Sequence, residues 1–203
     1  MSNIPHKVQK NIDNIQVLKK QISQWRKLSI EDLFQSIKEF EKTPRLEVSI
    51  YYNDLFNDVK FAEILLDIYK SNADNAKMVI LLISAIGNMI QRYNLPESQD
   101  MYEFMVENAY KKNVGPYVAI FLPRLQHFKN YSKKWQYFMN VKDMSPKKVA
   151  ESSFEAIMDL HGNEIPEENK EKVVHYFKKK SEKSNNEYGR QHYLDLANKF
   201  KKC

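Results

Sequence analysis

Cysteine occurs once, as the terminal Cys203, so no disulfide can close within the chain. That is the cysteine usage of a reducing compartment. The three residues that would have to follow a prenylated cysteine are missing. Glycine occurs four times and proline seven. Turns are therefore few and elements long, which argues against an all-β sandwich with its many Gly- and Pro-rich turns. Four scattered glycines cannot cradle a phosphate, because a Walker A loop and a GxGxxG turn both need them clustered. The five histidines (His6, His127, His161, His175 and His192) are never four residues apart, so HExxH is absent, as are CxxC and GxSxG. No apolar run reaches the ~20 residues that cross a membrane. The opening MSNIPHKVQKNIDNIQ is polar and lacks the apolar core of a secretory signal. These absences predict a cytoplasmic, non-enzymatic chain without metal or cofactor. Paired acids such as Glu31-Asp32 and Glu167-Glu168 fall in the opening turns of predicted helices, where they complement the helix dipole.

What the chain has is helical periodicity. Its most apolar stretch is Lys77–Arg92, KMVILLISAIGNMIQR. Met78, Leu81, Leu82, Ala85, Ile86, Met89 and Ile90 recur at three- and four-residue spacing, and Val79 and Ile80 widen the stripe. That width predicts a helix packed on several sides at the centre of the core. Buried, it would contribute on the order of 10 kcal/mol of gross stabilisation. An earlier helix over Lys7–Lys27 carries the narrow seam Val8, Ile12, Ile15, Leu18, Ile22 and Trp25. Ser29 is an N-cap for a helix striped by Leu33, Phe34, Ile37 and Phe40 that ends near Thr43-Pro44. The segment LEVSIYY, Leu46–Tyr52, alternates like a strand. No second strand exists to pair with it, so it is predicted helical, with Pro44 at the first helical position.

Further helices follow. Asn57 or Asp58 caps one that buries Phe61, Leu65, Ile68 and Tyr69. Pro96 opens another at its first position, with Met101, Tyr102, Met105 and Ala109 inward and Asn113-Val-Gly115 as its stop. Pro116 opens GPYVAIFLPRLQHF, which Pro123 should kink. Trp135, Phe138 and Met139 mark a short helix. Ser145-Pro146 reads as an N-cap with Pro next, before a stripe of Val149, Phe154, Ile157 and Leu160 that Gly162 stops in the left-handed conformation. Pro166 begins a helix with Val173, Val174, Tyr176 and Phe177. After a break at Ser184-Asn185-Asn186, Tyr188, Tyr193, Leu196, Ala197 and Phe200 close the chain on a last helix.

The prediction is an all-α chain of about ten short antiparallel helices, in a helical-hairpin array or irregular α-solenoid without significant sheet. Residues 1–43 form an N-terminal helical segment packed on a body, 44–203, within what is expected to be one domain. The hairpin Met78–Ala109 and the Pro-opened helix Pro116-Tyr-Val-Ala-Ile-Phe-Leu resemble the HEAT/armadillo-like α-solenoid superfamily. The resemblance spans about residues 45–180 and lies in spacing, not in fixed residues. It implies a stacked superhelix with a concave partner-binding face.

The net charge of +6 is unevenly placed. Residues 1–100 hold 13 basic and 13 acidic side chains, residues 101–170 hold 10 and 9, and residues 171–203 hold 9 and 4. The candidate partner-binding cations are Lys172, Lys178, Lys179, Lys180, Lys183 and Arg190. They are interleaved with Tyr176, Phe177, Tyr188, Tyr193 and Phe200, at a spacing that turns these aromatics toward the core. Lysine dominates over arginine, which favours a solvated face or an acidic protein over base-reading contacts. The expected function is that of a helical protein-binding module, as in inhibitors, adaptors and immunity proteins, by analogy of form. The alternative is a helical-repeat protein that binds nucleic acid through this segment.

Overall fold

Ser29, Asp58, Asn75 and Ser98 each stand one residue before a helix, and each side chain accepts the backbone N–H three residues on, at 3.0–3.3 Å. These caps satisfy donors that a helix start would otherwise leave orphaned. In the computed structural model, which describes residues 4–202, they open α2 (Ile30–Leu46), α4 (Val59–Ser71), α5 (Ala76–Tyr93) and α6 (Gln99–Asn108). The other helices are α1 (His6–Ser23), α3 (Asn53–Phe56), α7 (Gly115–Phe121), α8 (Lys134–Val141), α9 (Lys147–His161), α10 (Glu167–Glu182) and α11 (Glu187–Lys202). No strand occurs among the described residues, so the chain is all-α. Cys203 lies outside the described residues. No helix of the described residues is long and apolar enough to cross a membrane.

The chain divides into two compact units, one running to Tyr131 and one starting at Ser132. In the first, α5 packs on α2, α4 and α7, and α1 lies on α2 and buries Ile15, Leu18 and Ile22. Met78, Leu82, Ile83, Ala85, Ile86 and Met89 of α5 are wholly buried, as a core helix requires. Phe40, Phe56, Phe61 and Tyr93 form an aromatic cluster beside it, with ring centroids 4.6–5.5 Å apart. Gly87 lies against the Phe121 ring, and a Cβ there would collide with it. In the second unit α10 and α11 pack closely, with Phe177 against Phe200 and Ser181 Oγ donating to the Arg190 carbonyl.

Several local expectations are corrected. Pro44 is a buried residue inside the last turn of α2, so it opens no helix, and residues 43 and 44 share one helix. LEVSIYY is not a helix. Glu47 and Ser49 are extended, Ile50–Tyr52 is a 3-10 turn, and α3 follows. Tertiary bonds hold this segment: Tyr93 donates to the Glu47 carbonyl, and Tyr52 and Asn11 donate to its carboxylate. Leu46, Val48 and Ile50 are left 65%, 70% and 78% exposed. Pro96 is not a first helical residue. Asn94 adopts a left-handed conformation, and Leu95 N–H closes on the Met89 carbonyl, so residues 94–96 finish α5 and Ser98 caps α6. Asn113 takes a left-handed conformation before α7, and Gly115 begins that helix. Pro123 ends α7 rather than kinking it, and Leu122–Arg124 tightens into a 3-10 turn.

The second unit departs from expectation at four places. Pro146 is the N-cap of α9, after a cis Ser145-Pro146 peptide, and Lys147 is the first helical residue. Gly162 has φ −60° and continues into a 3-10 turn, so it is no left-handed stop. Its missing side chain makes room for the Phe200 ring. Leu160 is half exposed, and Tyr188, expected inward, is 85% exposed.

Candidate functional site

Helix α10 carries two faces. Val173, Phe177 and Ser181 recur at four-residue spacing and are buried, with Phe177 against α11. Lys172, Tyr176, Lys179, Lys180 and Lys183 recur on another face and line a cleft of 760 Å³. The cleft's far wall is the α8–α9 connection with the first turns of α9, through Lys142, Asp143, Lys147 and Glu151.

The floor is a closed network. Lys180 Nζ lies 3.0 Å from Glu151 Oε2 and 3.1 Å from Glu155 Oε1. The Tyr176 hydroxyl donates to Glu155 Oε1 at 3.1 Å, and Tyr193 donates to the other oxygen at 3.5 Å. The Tyr176 ring stands edge-on to Phe154, with centroids 4.8 Å apart. Burial pushes the Tyr176 phenol well above its ordinary range, and the Glu155 and Glu151 charges push it further. Burial works against the Lys180 ammonium, but its bonds to Glu151 and Glu155 outweigh that and raise its pKa. At neutral pH the floor therefore holds a neutral phenol and a charged, paired ammonium. Neither is a base or a nucleophile in that state.

Above the floor the charges are unequal. Lys142 pairs with Asp143, and Lys147 lies 3.9 Å from both Asp143 and Glu151. Lys172, Lys179 and Lys183 are exposed and form no salt bridge among the described residues. They sit at positions i, i+7 and i+11, two turns and then one turn apart. His175 and the carboxylate of Glu171 share this wall. No group of three or more His, Cys, Asp or Glu among the described residues could hold a metal ion.

Family models, curated proteins and solved structures offer no match to this chain.

Of the six candidate cations, Lys172, Lys179, Lys180 and Lys183 come together at the cleft, while Lys178 and Arg190 do not line it. Lys180 is held in the floor network, not left free. Sequence reasoning missed Lys142 and Lys147. Their signal was the basic cluster flanking Ser145-Pro146, but nothing local pointed it at α10.

Proposed function

We propose that this chain is a non-enzymatic binding module that holds an acidic segment of a partner protein in the α10 cleft. The observation that carries this reading is the row of three unpaired lysines, Lys172, Lys179 and Lys183, along one wall of a defined cleft. Lys179 and Lys183 are separated by one turn, a rise of about 6 Å. Same-side carboxylates of an extended peptide are spaced about 6.8 Å apart, so two alternate acidic side chains can meet Lys179 and Lys183. Glu171, which forms no salt bridge among the described residues, also lines the cleft. It would repel an unbroken phosphate backbone, whereas a peptide can place a neutral residue opposite it. The protonated Tyr176 and the paired Lys180 support binding over catalysis. Inhibitors, immunity proteins and adaptors are the functional classes such a module serves. The reading rests on the cleft and not on the resemblance to helical-repeat proteins.

The test uses two fluorescent probes, a short peptide alternating Glu and Ala and a mixed-sequence single-stranded oligonucleotide. Both are titrated with the full chain at about 50 and 200 mM salt. The acidic peptide should bind, and the triple variant Lys172→Gln, Lys179→Gln, Lys183→Gln should weaken it by about tenfold or more. Lys178→Gln, off the cleft, should leave it unchanged. Peptide affinity indifferent to the triple variant refutes the assignment. Tighter oligonucleotide binding with a steep salt slope, lost in the triple variant, would replace the protein partner with nucleic acid.

A further inference from the structure

The first unit has a concave surface of its own, a groove of 600 Å³ between α2, α5 and α7. Its bed is one face of α5, where Ile80, Leu81, Ser84, Asn88 and Arg92 follow one another at helical spacing. The bed is polar at the centre and apolar beside it. Glu41 of α2 is only 3% exposed and accepts from Arg45 Nε at 2.6 Å and from the Ser84 hydroxyl. Asn88 in turn donates to the Ser84 carbonyl at 2.8 Å. A buried carboxylate needs such a cationic partner, so the Arg45 charge is spent on Glu41. Ile80, Leu81 and Ile120 are half-buried and form the apolar part.

Arg92 and Arg124, both exposed, complete the rim. Each donates to a main-chain carbonyl, Arg92 to that of Arg45 at 2.7 Å and Arg124 to that of Ile120. Neither forms a salt bridge among the described residues. A guanidinium carries five donors, so each arginine keeps most of its capacity for an incoming carboxylate. The groove thus joins an apolar strip to two uncompensated positive charges, with no uncompensated acid in its lining.

We infer that this groove, a site separate from the α10 cleft, docks an amphipathic helix of a partner protein whose apolar stripe is flanked by acidic residues. Charge complementarity selects the acidic flank. The length suits a helix: the bed runs thirteen residues from Ile80 to Arg92, a rise of about 18 Å, which a little over three turns of a docked helix cover. A helix presents side chains at three- and four-residue spacing, so one stripe meets Ile80, Leu81 and Ile120 while the flanks reach Arg92 and Arg124. This is helix-in-groove recognition, with desolvated apolar contacts at the centre and charges at the rim.

The experiment is a selection of displayed random peptides on the full chain, followed by solution affinities of the enriched peptides. Enriched sequences should show apolar residues at three- and four-residue spacing with Asp or Glu beside them. Arg92→Glu combined with Arg124→Glu reverses two exposed charges and should weaken these peptides by about tenfold or more. The cleft triple variant should leave their affinity unchanged, which separates failure here from failure of the α10 reading. Circular dichroism of both variants checks that the fold is retained. The inference is overturned if selection yields no binders, if the binders are basic or patternless, or if the groove variant leaves them intact. A self-associating chain whose dimer dissociates in the Arg92/Arg124 variant would give the groove to a second copy and overturn the partner-helix assignment.

Discussion

Replacing Lys180 by methionine keeps an unbranched side chain one atom shorter and removes the cation at the centre of the α10 cleft floor. Glu151 and Glu155 then lose two charge-assisted bonds, at 3.0 and 3.1 Å, and face each other without the ammonium. Such bonds contribute about 1.5–3 kcal/mol each when shielded. The side chains of Lys180, Glu151 and Glu155 are 23%, 28% and 27% exposed, so water screens part of that interaction. A net loss of about 1–3 kcal/mol for the second unit is expected. The pH dependence adds an independent check. Lys180 has its folded pKa raised above the ordinary 10.5, so the folded chain keeps a proton that the unfolded chain releases in alkali. Tyr176, raised above the ordinary 10.0, acts with the same sign. Stability of the second unit should hold below about pH 10 and fall above it. Lys180→Met should flatten the lysine part of that fall and Tyr176→Phe the tyrosine part. The chain has two tryptophans, Trp25 in the first unit and Trp135 in α8. Urea titration of a Trp25→Phe background, followed by Trp135 fluorescence, therefore reports the second unit. A loss under about 0.5 kcal/mol, the size of an ordinary surface substitution, would refute the network. An alkaline limb unchanged in both variants would refute the electrostatic reasoning.

Leu82, wholly buried in α5, should cost about 2–5 kcal/mol as Leu82→Ala in a denaturant titration read by Trp25. A loss below about 1 kcal/mol would remove α5 from the centre of the first unit. Glu97 binds the start of the 3-10 turn His127–Asn130, accepting from Gln126 N–H at 2.7 Å and His127 N–H at 3.0 Å. Glu97→Ala should destabilise that turn by about 1–3 kcal/mol, seen as faster amide exchange at residues 126–130, and unchanged exchange would count against the anchor.

The local rules in the sequence were legible at the polar caps and along most helix stripes, and failed at Pro44, Pro96, Pro123 and Pro146. Ser29 and Asp58 cap as their chemistry demands, and the stripe Phe61, Leu65, Ile68 and Tyr69 is buried as spaced. Legibility failed where a distant partner competes for the backbone. LEVSIYY satisfies neither period because Tyr93 and Asn11, far along the chain, take up Glu47. Gly162 stands at the end of α9 as expected, but not in the left-handed conformation, and the ring of Phe200 is what requires a glycine there. At the cleft, the charge density of the last segment was visible, and so was a row of lysines on one side of α10. Their division into paired and unpaired members was not.

Sequence alone therefore determined that this chain is helical, where most helices begin, and most of the stripe that each buries. These follow from periodicity and from hydrogen bonds spanning three or four residues. Tertiary structure alone decided that Lys180 is neutralised by Glu151 and Glu155 while Lys172, Lys179 and Lys183 stay free, and that Arg92 and Arg124 meet at one groove with their charges open. The physical reason is that a charge is cancelled by whatever lies within a few ångströms of it. For Lys180 that neighbourhood is built by residues 25 and 29 positions away in the chain.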